Sequence, residues 1–231
     1  VRRKTFAVDI DGTLTENGGG RIHLGALSSL RHMRRLGHNV ILVSGRSSVE
    51  GYLLSVYGGL NQVAVGENGG CIAYGANEHT LLGDKSKCTH ALQMIRSKLS
   101  NVKEKPVFPR MTEVVLERTF DISDAKKIVD VNNLDVVLSD SQYAIHINSA
   151  GINKAFGFKH VMEKLCIHPE DVISIGDSET DIPLFEMAKF SVAVGNASNE
   201  VKSKATMYMS AHAGDGVLEA LDKIAPILSE L

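Results

Sequence analysis

Short apolar runs alternate with amphipathic stretches at both ends of the chain. Residues 6–10 (FAVDI) read as a buried strand, and residues 23–36 as a helix with Leu24, Leu27, Leu30 and Met33 on one stripe and Gly37 as its stop. Residues 39–43 form the next strand, 48–57 the next helix, and 63–65 and 71–74 two strands around the turn 66–70. Beyond Gly151 the alternation resumes with a helix at 154–165, a strand at 172–175, a helix at 181–188 and a strand at 191–194. A short helix at 199–204, a strand near 207–209 and a C-terminal helix from Gly216 complete it. Strands separated by helices predict right-handed crossovers and a mostly parallel sheet covered on both faces.

The middle of the chain has a different rhythm. It holds a helix at 86–99, a strand at 113–117, a helix at 123–131, and two close strands at 136–138 and 143–147 meeting across the turn Ser139-Asp140-Ser141. Such a hairpin is antiparallel and expected to be solvated on one face. The pattern predicts a small α+β module inserted into an α/β domain through linkers near 75–84 and 148–153.

Composition narrows the class. The chain has 231 residues, 43% apolar and 23% charged, with a net charge of -2, enough length for a sizeable core. That charge balance argues against nucleic acid as the main partner, since phosphate backbones select basic surfaces. No apolar stretch approaches the roughly 18 residues of a membrane span. The first residues, Val-Arg-Arg-Lys, are basic, but the apolar run behind them is too short for a signal-peptide core. Cys71, Cys88 and Cys166 lack CxxC spacing, and reduced thiols in a cytoplasmic protein are the expectation. The nine histidines show no metal-binding spacing.

In open parallel sheets, ligands bind beyond the carboxyl ends of the strands. Four such ends carry polar groups here: Asp9-Ile10-Asp11-Gly12-Thr13, Ser44-Gly45-Arg46, Gly176-Asp177-Ser178-Glu179-Thr180-Asp181, and Gly195-Asn196. Lys154 opens a helix just where the inserted module hands back to the core. Each has an ordinary structural explanation alone: a strand-end Asp caps the next helix, and a lysine in a first turn faces solvent. In this order, and at these strand ends, they form a set.

That set resembles the haloacid dehalogenase-like phosphohydrolases. Asp9-Ile10-Asp11-Gly12-Thr13-Leu14 is similar to their first motif, Ser44 to the second, Lys154 to the third, and Asp177 with Asp181 to the fourth. The insertion between the second and third motifs, with Glu67-Asn68-Gly69-Gly70 and Val194-Gly195-Asn196-Ala197, resembles the Cof-like branch. The short chain and small insert are similar to the archaeal phosphoglycolate phosphatases. The resemblance implies a Rossmann-like α/β parallel-sheet core, residues 1–83 and 152–231, with an inserted small α+β cap domain, residues 84–151, that selects the substrate.

Phosphoryl transfer needs an in-line nucleophile, positive charge on the equatorial oxygens and a proton for the departing alkoxide. Asp9 is the expected nucleophile, through an aspartyl phosphate, and Asp11 the expected general acid and base. Crowded carboxylates and an all-oxygen donor set suit Mg²⁺. The resemblance implies Asp9 and Asp177 as side-chain ligands, Asp11 through its backbone carbonyl, and Asp181 directly or through water. Ser44 and Lys154, with Gly45 and Asn196, are the expected contacts to substrate, and Gly12 lets the backbone approach the phosphate. Arg110, Arg118 and Lys105 are cap cations able to meet a substrate carboxylate, but each reads first as a surface cation on a strand or loop. The expected activity is Mg²⁺-dependent hydrolysis of a small phosphomonoester, 2-phosphoglycolate first, with a sugar or sugar-acid phosphate as the rival. A phosphomutase fits less well. A phospho-accepting receiver domain is shorter and lacks an insert, and a non-catalytic binding module has no need of Asp9, Asp11 and Lys154 together. Self-association into a homodimer is left open.

Overall fold

The computed structural model describes residues 2–16, 20–141 and 143–228. Val1 of the basic N-terminus and residues 229–231, the two ends of the expected core, lie outside them, as do residues 17–19 and 142. The larger sheet has eight strands: β1 (Thr5–Val8), β2 (Asn39–Val43), β3 (Ala64–Gly66), β4 (Cys71–Ala73), β5 (His79–Leu81), β9 (Val172–Gly176), β10 (Phe190–Ala193) and β11 (Met207–Tyr208). Their order is β11-β10-β9-β1-β2-β3-β4-β5, with β11 through β3 parallel and the pairs β3–β4 and β4–β5 antiparallel.

β1 lies in the middle of this sheet and is buried throughout, which explains its unbroken apolar run. Phe6 and Val8 face a core cluster built with α1 (Leu24–Arg35) and the C-terminal helix (Ala213–Ile224). Ala7 faces the opposite cluster, which includes Phe158, Val161 and Met162 of α5 (Lys154–Leu165) and Leu184 of α6 (Ile182–Met187). Helices therefore cover both faces, as the alternation predicted. No helix among the described residues is long and apolar enough to cross a membrane.

The second unit lies between β5 and α5. It contains α3 (Lys85–Arg96), β6 (Val114–Leu116), α4 (Ile122–Val131), β7 (Val136–Asp140) and β8 (Ile145–Ser149), with sheet order β6-β8-β7, all antiparallel. Its own core joins Leu92, Ile95, Leu116, Val129, Leu138, Ile145 and Ile147.

Four expectations need correction. Part of the linker expected at 75–84 is β5, which pairs with β4 as an antiparallel extension of the sheet. The hairpin turn lies two residues further on, because Ser139 and Asp140 pair with His146 and Ile145 and the chain reverses only where Ser141 N–H meets the Ala144 carbonyl at 3.0 Å. β8 is buried on both faces: Ile145 and Ile147 enter the apolar core, while Asn148 is buried against the Glu67 carbonyl and His146 beside Glu113. The first strand stops at Val8, not at residue 10, because the Ile10 carbonyl accepts bonds from Thr13, Leu14 and Thr15 and turns the chain.

Glu67, in a 3-10 turn after β3, ties the two units together. Its fully buried carboxylate accepts hydrogen bonds from Met111 N–H, Thr112 N–H and the Thr112 hydroxyl at 2.7–3.0 Å, and its carbonyl accepts from Asn148 Nδ2 at 3.1 Å.

Candidate active site

The ends of β1, β2 and β9, with the start of α5, meet at one end of the large sheet. Asp9 follows β1 directly and continues its pairing, its N–H donating to the Ile175 carbonyl at 3.0 Å. Asn153 caps α5, its Oδ1 accepting from Phe156 N–H at 2.9 Å, which places Lys154 in the first turn. The Lys154 side chain is buried, and its Nζ donates to Asp9 Oδ1 at 2.8 Å and to Asp181 Oδ1 at 2.7 Å. Asp181 is equally buried. Its second oxygen accepts from Asp177 N–H, Ser178 N–H and the Ser178 hydroxyl at 3.0–3.1 Å, so one carboxylate both shapes the turn before α6 and pairs with the lysine.

Asp177 is held by two donors, the Thr13 hydroxyl at 2.9 Å and Asn196 Nδ2 at 3.0 Å. Gly12 must be glycine at this point: its φ is +80°, and a Cβ there would lie 2.3 Å from Asp177 Oδ2. The close approach is thus to a carboxylate beside the site, a stricter demand than the approach to phosphate expected from sequence.

The charges do not cancel within the protein. Burial foremost, then the Asp181 and Asp177 charges, pushes Asp9 well above the usual carboxylate range, against the pull of Lys154. Burial, with the Asp181 charge behind it, pushes Asp177 up to about 7. Burial alone would lower Lys154, but the Asp181 and Asp9 carboxylates hold its ammonium above the normal lysine range. Asp9, Asp177 and Asp181 each offer an oxygen, all within 4.8 Å of one another. A hard, oxygen-rich, electron-dense cluster short of positive charge fits a divalent cation.

Asp11 is held apart from the lysine pair. It sits in the turn after β1, outside the three-carboxylate cluster, and Arg46 Nε and Nη2 grip its two oxygens at 2.7 Å each. Arg46 also donates to Glu50 Oε1 at 3.0 Å, while Glu50 Oε2 closes a capping box with Ser47 at the start of α2 (Ser48–Gly58). The helix cap therefore aims the arginine. Ser44 is buried at the end of β2, its N–H bonded to the Val65 carbonyl at 2.9 Å, and Gly45 follows it on the cavity wall.

A cavity of about 580 Å³ opens above these groups, lined by Asp9, Asp11, Ser44, Gly45, Lys154 and Asp177 on one side. The second unit closes it with residues 106–110, Val115, Ser141, Tyr143 and His146. Of the eight residues singled out from sequence, Asp181 lies beneath the cavity and Asn196 beside it. Asn196 donates to the Gly12 carbonyl at 2.9 Å and to Asp177, and accepts from Ala213 N–H at 2.7 Å, so its polar atoms brace the turn and are not on the cavity wall. Thr13, Glu50 and His146 escaped the sequence reading. Only Thr13 left a trace, as the last residue of DxDGT.

A model of the haloacid dehalogenase-like hydrolases matches residues 6–105 and 101–221 of the chain. A protein of Nitrosopumilus maritimus named phosphoglycolate phosphatase is 65% identical over 231 residues, the whole of both chains. A second of that name, from Archaeoglobus fulgidus, is 36% identical over 219 residues, 94% of this chain and 95% of its own. The crystal structure of Thermoplasma acidophilum 0175 superposes with a TM-score of 0.86 at 22% identity, covering 96% of this chain and 98% of that one. A sugar phosphatase of subclass IIB, BT4131, gives 0.78 at 17% over 96% and 99%; these two likenesses speak for the fold alone. With its eight-stranded α/β sheet, its inserted antiparallel unit and a family match along nearly its full length, the chain belongs to the haloacid dehalogenase-like hydrolases.

Proposed function

We propose that the chain hydrolyses 2-phosphoglycolate to glycolate and phosphate, with Mg²⁺ as its cation. The observation that carries the chemistry is the buried Asp9–Lys154–Asp181 pairing at the carboxyl end of the central strand. The choice of substrate rests on the name of the relative that is 65% identical over its whole length. Residues 1–83 and 152–231 act as the catalytic core and 84–151 as a cap that selects the leaving group. The three unpaired cysteines suit a reducing compartment, and the proposed location is the cytoplasm.

Asp9 attacks phosphorus as the P–O bond to the glycolate oxygen breaks, and Asp11 supplies the proton that oxygen needs. Asp11 then takes a proton from water, which attacks the aspartyl phosphate and frees Asp9. Arg46 takes one lone pair of each Asp11 oxygen, and the proton is carried on a second lone pair. Lys154 fixes the Asp9 oxygen and offsets charge at the site, and the Ser44 hydroxyl and Gly45 backbone hold the phosphoryl group. Asn196 serves through Asp177 and Gly12, as a positioning residue. Asp9, Asp177 and the Asp11 carbonyl would hold the cation directly. Asp181, whose one oxygen accepts from Lys154 and the other from three donors, would hold it directly or through water. The cation supplies Lewis-acid charge neutralisation.

The test is phosphate release with Mg²⁺ from 2-phosphoglycolate, 3-phosphoglycerate, hexose phosphates and an aryl phosphate, for the natural chain and Asp9→Asn. Turnover led by 2-phosphoglycolate and lost in the variant is expected. Full activity in Asp9→Asn would end the mechanism, and a wide preference for hexose phosphates would end the substrate assignment.

A further inference from the structure

The cap reaches the phosphate end of the cavity through one arginine. Arg110 is buried, 8% of its side chain exposed, and it lines the cavity. Its Nη1 donates to the Gly45 carbonyl at 3.0 Å and lies 3.6 Å from Glu113 Oε1, beyond hydrogen-bond length. Its Nε is buried with no hydrogen-bond partner among the described residues, and Glu113 Oε1 has none either. A guanidinium has five N–H donors, and leaving them unmet in a buried place is costly. Glu113 is held elsewhere, by His146 Nδ1 at 3.0 Å and Asn148 Nδ2 at 3.1 Å through its other oxygen. It steadies the arginine without saturating it.

The remaining cations are committed. Arg46 is spent on Asp11 and Glu50, and Lys154 on Asp9 and Asp181. Arg118 pairs with Asp140 at 2.9 Å and Lys105 lies 4.0 Å over the Tyr143 ring, and neither lines the cavity. Arg110 is thus the cavity arginine with donors in hand, and it rests on the residue that follows Ser44.

Building on the phosphoglycolate reading, we propose that Arg110 is the residue that recognises the substrate's carboxylate, and so selects a short phosphoester ending in an acid. Its seat on Gly45, the residue after Ser44, sets the carboxylate subsite next to the phosphate subsite. A planar fork of donors matches a carboxylate, and an ester without that group leaves the fork unpaired, which is how polar sites discriminate.

The experiment compares kcat/KM for 2-phosphoglycolate and ethyl phosphate, with Mg²⁺, in the natural chain, Arg110→Gln and Arg110→Lys. Arg110→Gln should lower kcat/KM for 2-phosphoglycolate by about 10²-fold, mostly through KM, with a loss for ethyl phosphate at least tenfold smaller. Arg110→Lys, which keeps the charge without the fork, should fall between. Equal losses on both esters would mean that Arg110 merely straps the cap to Gly45, and the inference would be overturned. The natural chain gives a reading independent of folding of the variants: it should prefer 2-phosphoglycolate to its neutral carboxamide by well over tenfold, and a smaller preference overturns the inference too. A natural chain that ignores 2-phosphoglycolate and turns over hexose phosphates defeats the substrate reading itself. One that prefers 2-phosphoglycolate, with the preference intact in Arg110→Gln, defeats Arg110 alone.

Discussion

Replacing Asp177 with asparagine should stabilise the metal-free protein by an amount that grows with pH. Asp177 sits at about 7 in the folded chain, against about 3.9 for an unperturbed aspartate. At about 1.4 kcal/mol per pH unit, carrying the ionised form costs on the order of 4 kcal/mol above pH 7. Asp9 lies in the same cluster and shares the protons, which makes this an upper figure. The unfolded chain releases the proton near pH 4 and the folded chain near pH 7. Across that window the folded state binds more protons, so its stability falls as pH rises and levels off beyond the folded value. Asparagine removes the charge and keeps the contacts: its carbonyl accepts from Asn196 Nδ2, and its amide donates to the Thr13 hydroxyl, which rotates to accept. Urea denaturation in EDTA, followed by circular dichroism from pH 4 to 8, gives the difference between the two proteins. It should be near zero at pH 4 and reach up to about 4 kcal/mol at pH 8. Added Mg²⁺ should rescue the natural chain more at pH 8 than at pH 6, because binding needs the carboxylate. A flat difference, or an asparagine variant less stable at pH 8, would refute the account of an undercompensated acidic cluster.

Two further changes probe the neighbours. Lys154→Met leaves Asp9 and Asp181 buried without their cation, and should cut kcat by about 10²–10³-fold or more while lowering stability by about 3–5 kcal/mol; a variant within tenfold of the natural kcat would contradict the role given to the lysine. Asn196→Ala should weaken Mg²⁺ affinity by about 10–100-fold while leaving KM for the phosphoester, measured at saturating Mg²⁺, within about threefold; titration calorimetry and steady-state kinetics separate these, and the opposite pattern would restore Asn196 as a direct substrate contact.

The parts of the site that could be read in the sequence are those whose placement is local. Asp9, Ser44 and Asp177 each directly follow a short apolar strand, and Lys154 opens a helix, so strand order alone brings them together. What the sequence hid is what depends on distant pairs. Arg110 meets Gly45 from 65 positions away and Asn196 meets Gly12 from 184, and neither approach leaves a periodic signature. β5 was obscured because its residues, His79 to Leu81, are half-exposed or exposed and lack an apolar face. The turn of the β7–β8 hairpin lies two residues beyond Ser139 because ladder bonds to the neighbouring strand outweigh the turn chemistry of Ser139 and Asp140. β8 reads as an alternating half-buried strand, and its polar members are buried through distant partners, Asn148 against the Glu67 carbonyl and His146 against Glu113.

The Glu67 clasp limits how interchangeable the two parts of the chain are. One side chain of the core completes the backbone of the insert just before β6, and one amide from the insert's last strand completes the backbone of the core. A chimera that kept this core and borrowed an insert from elsewhere would need a hydroxyl at position 112 to complete the buried Glu67 carboxylate and a donor at 148 to satisfy the Glu67 carbonyl. Diversification of the insert is therefore free in its outer helices and restricted along this seam, so new specificities should arise from residues such as 106–110, which hang from the clasp without belonging to it.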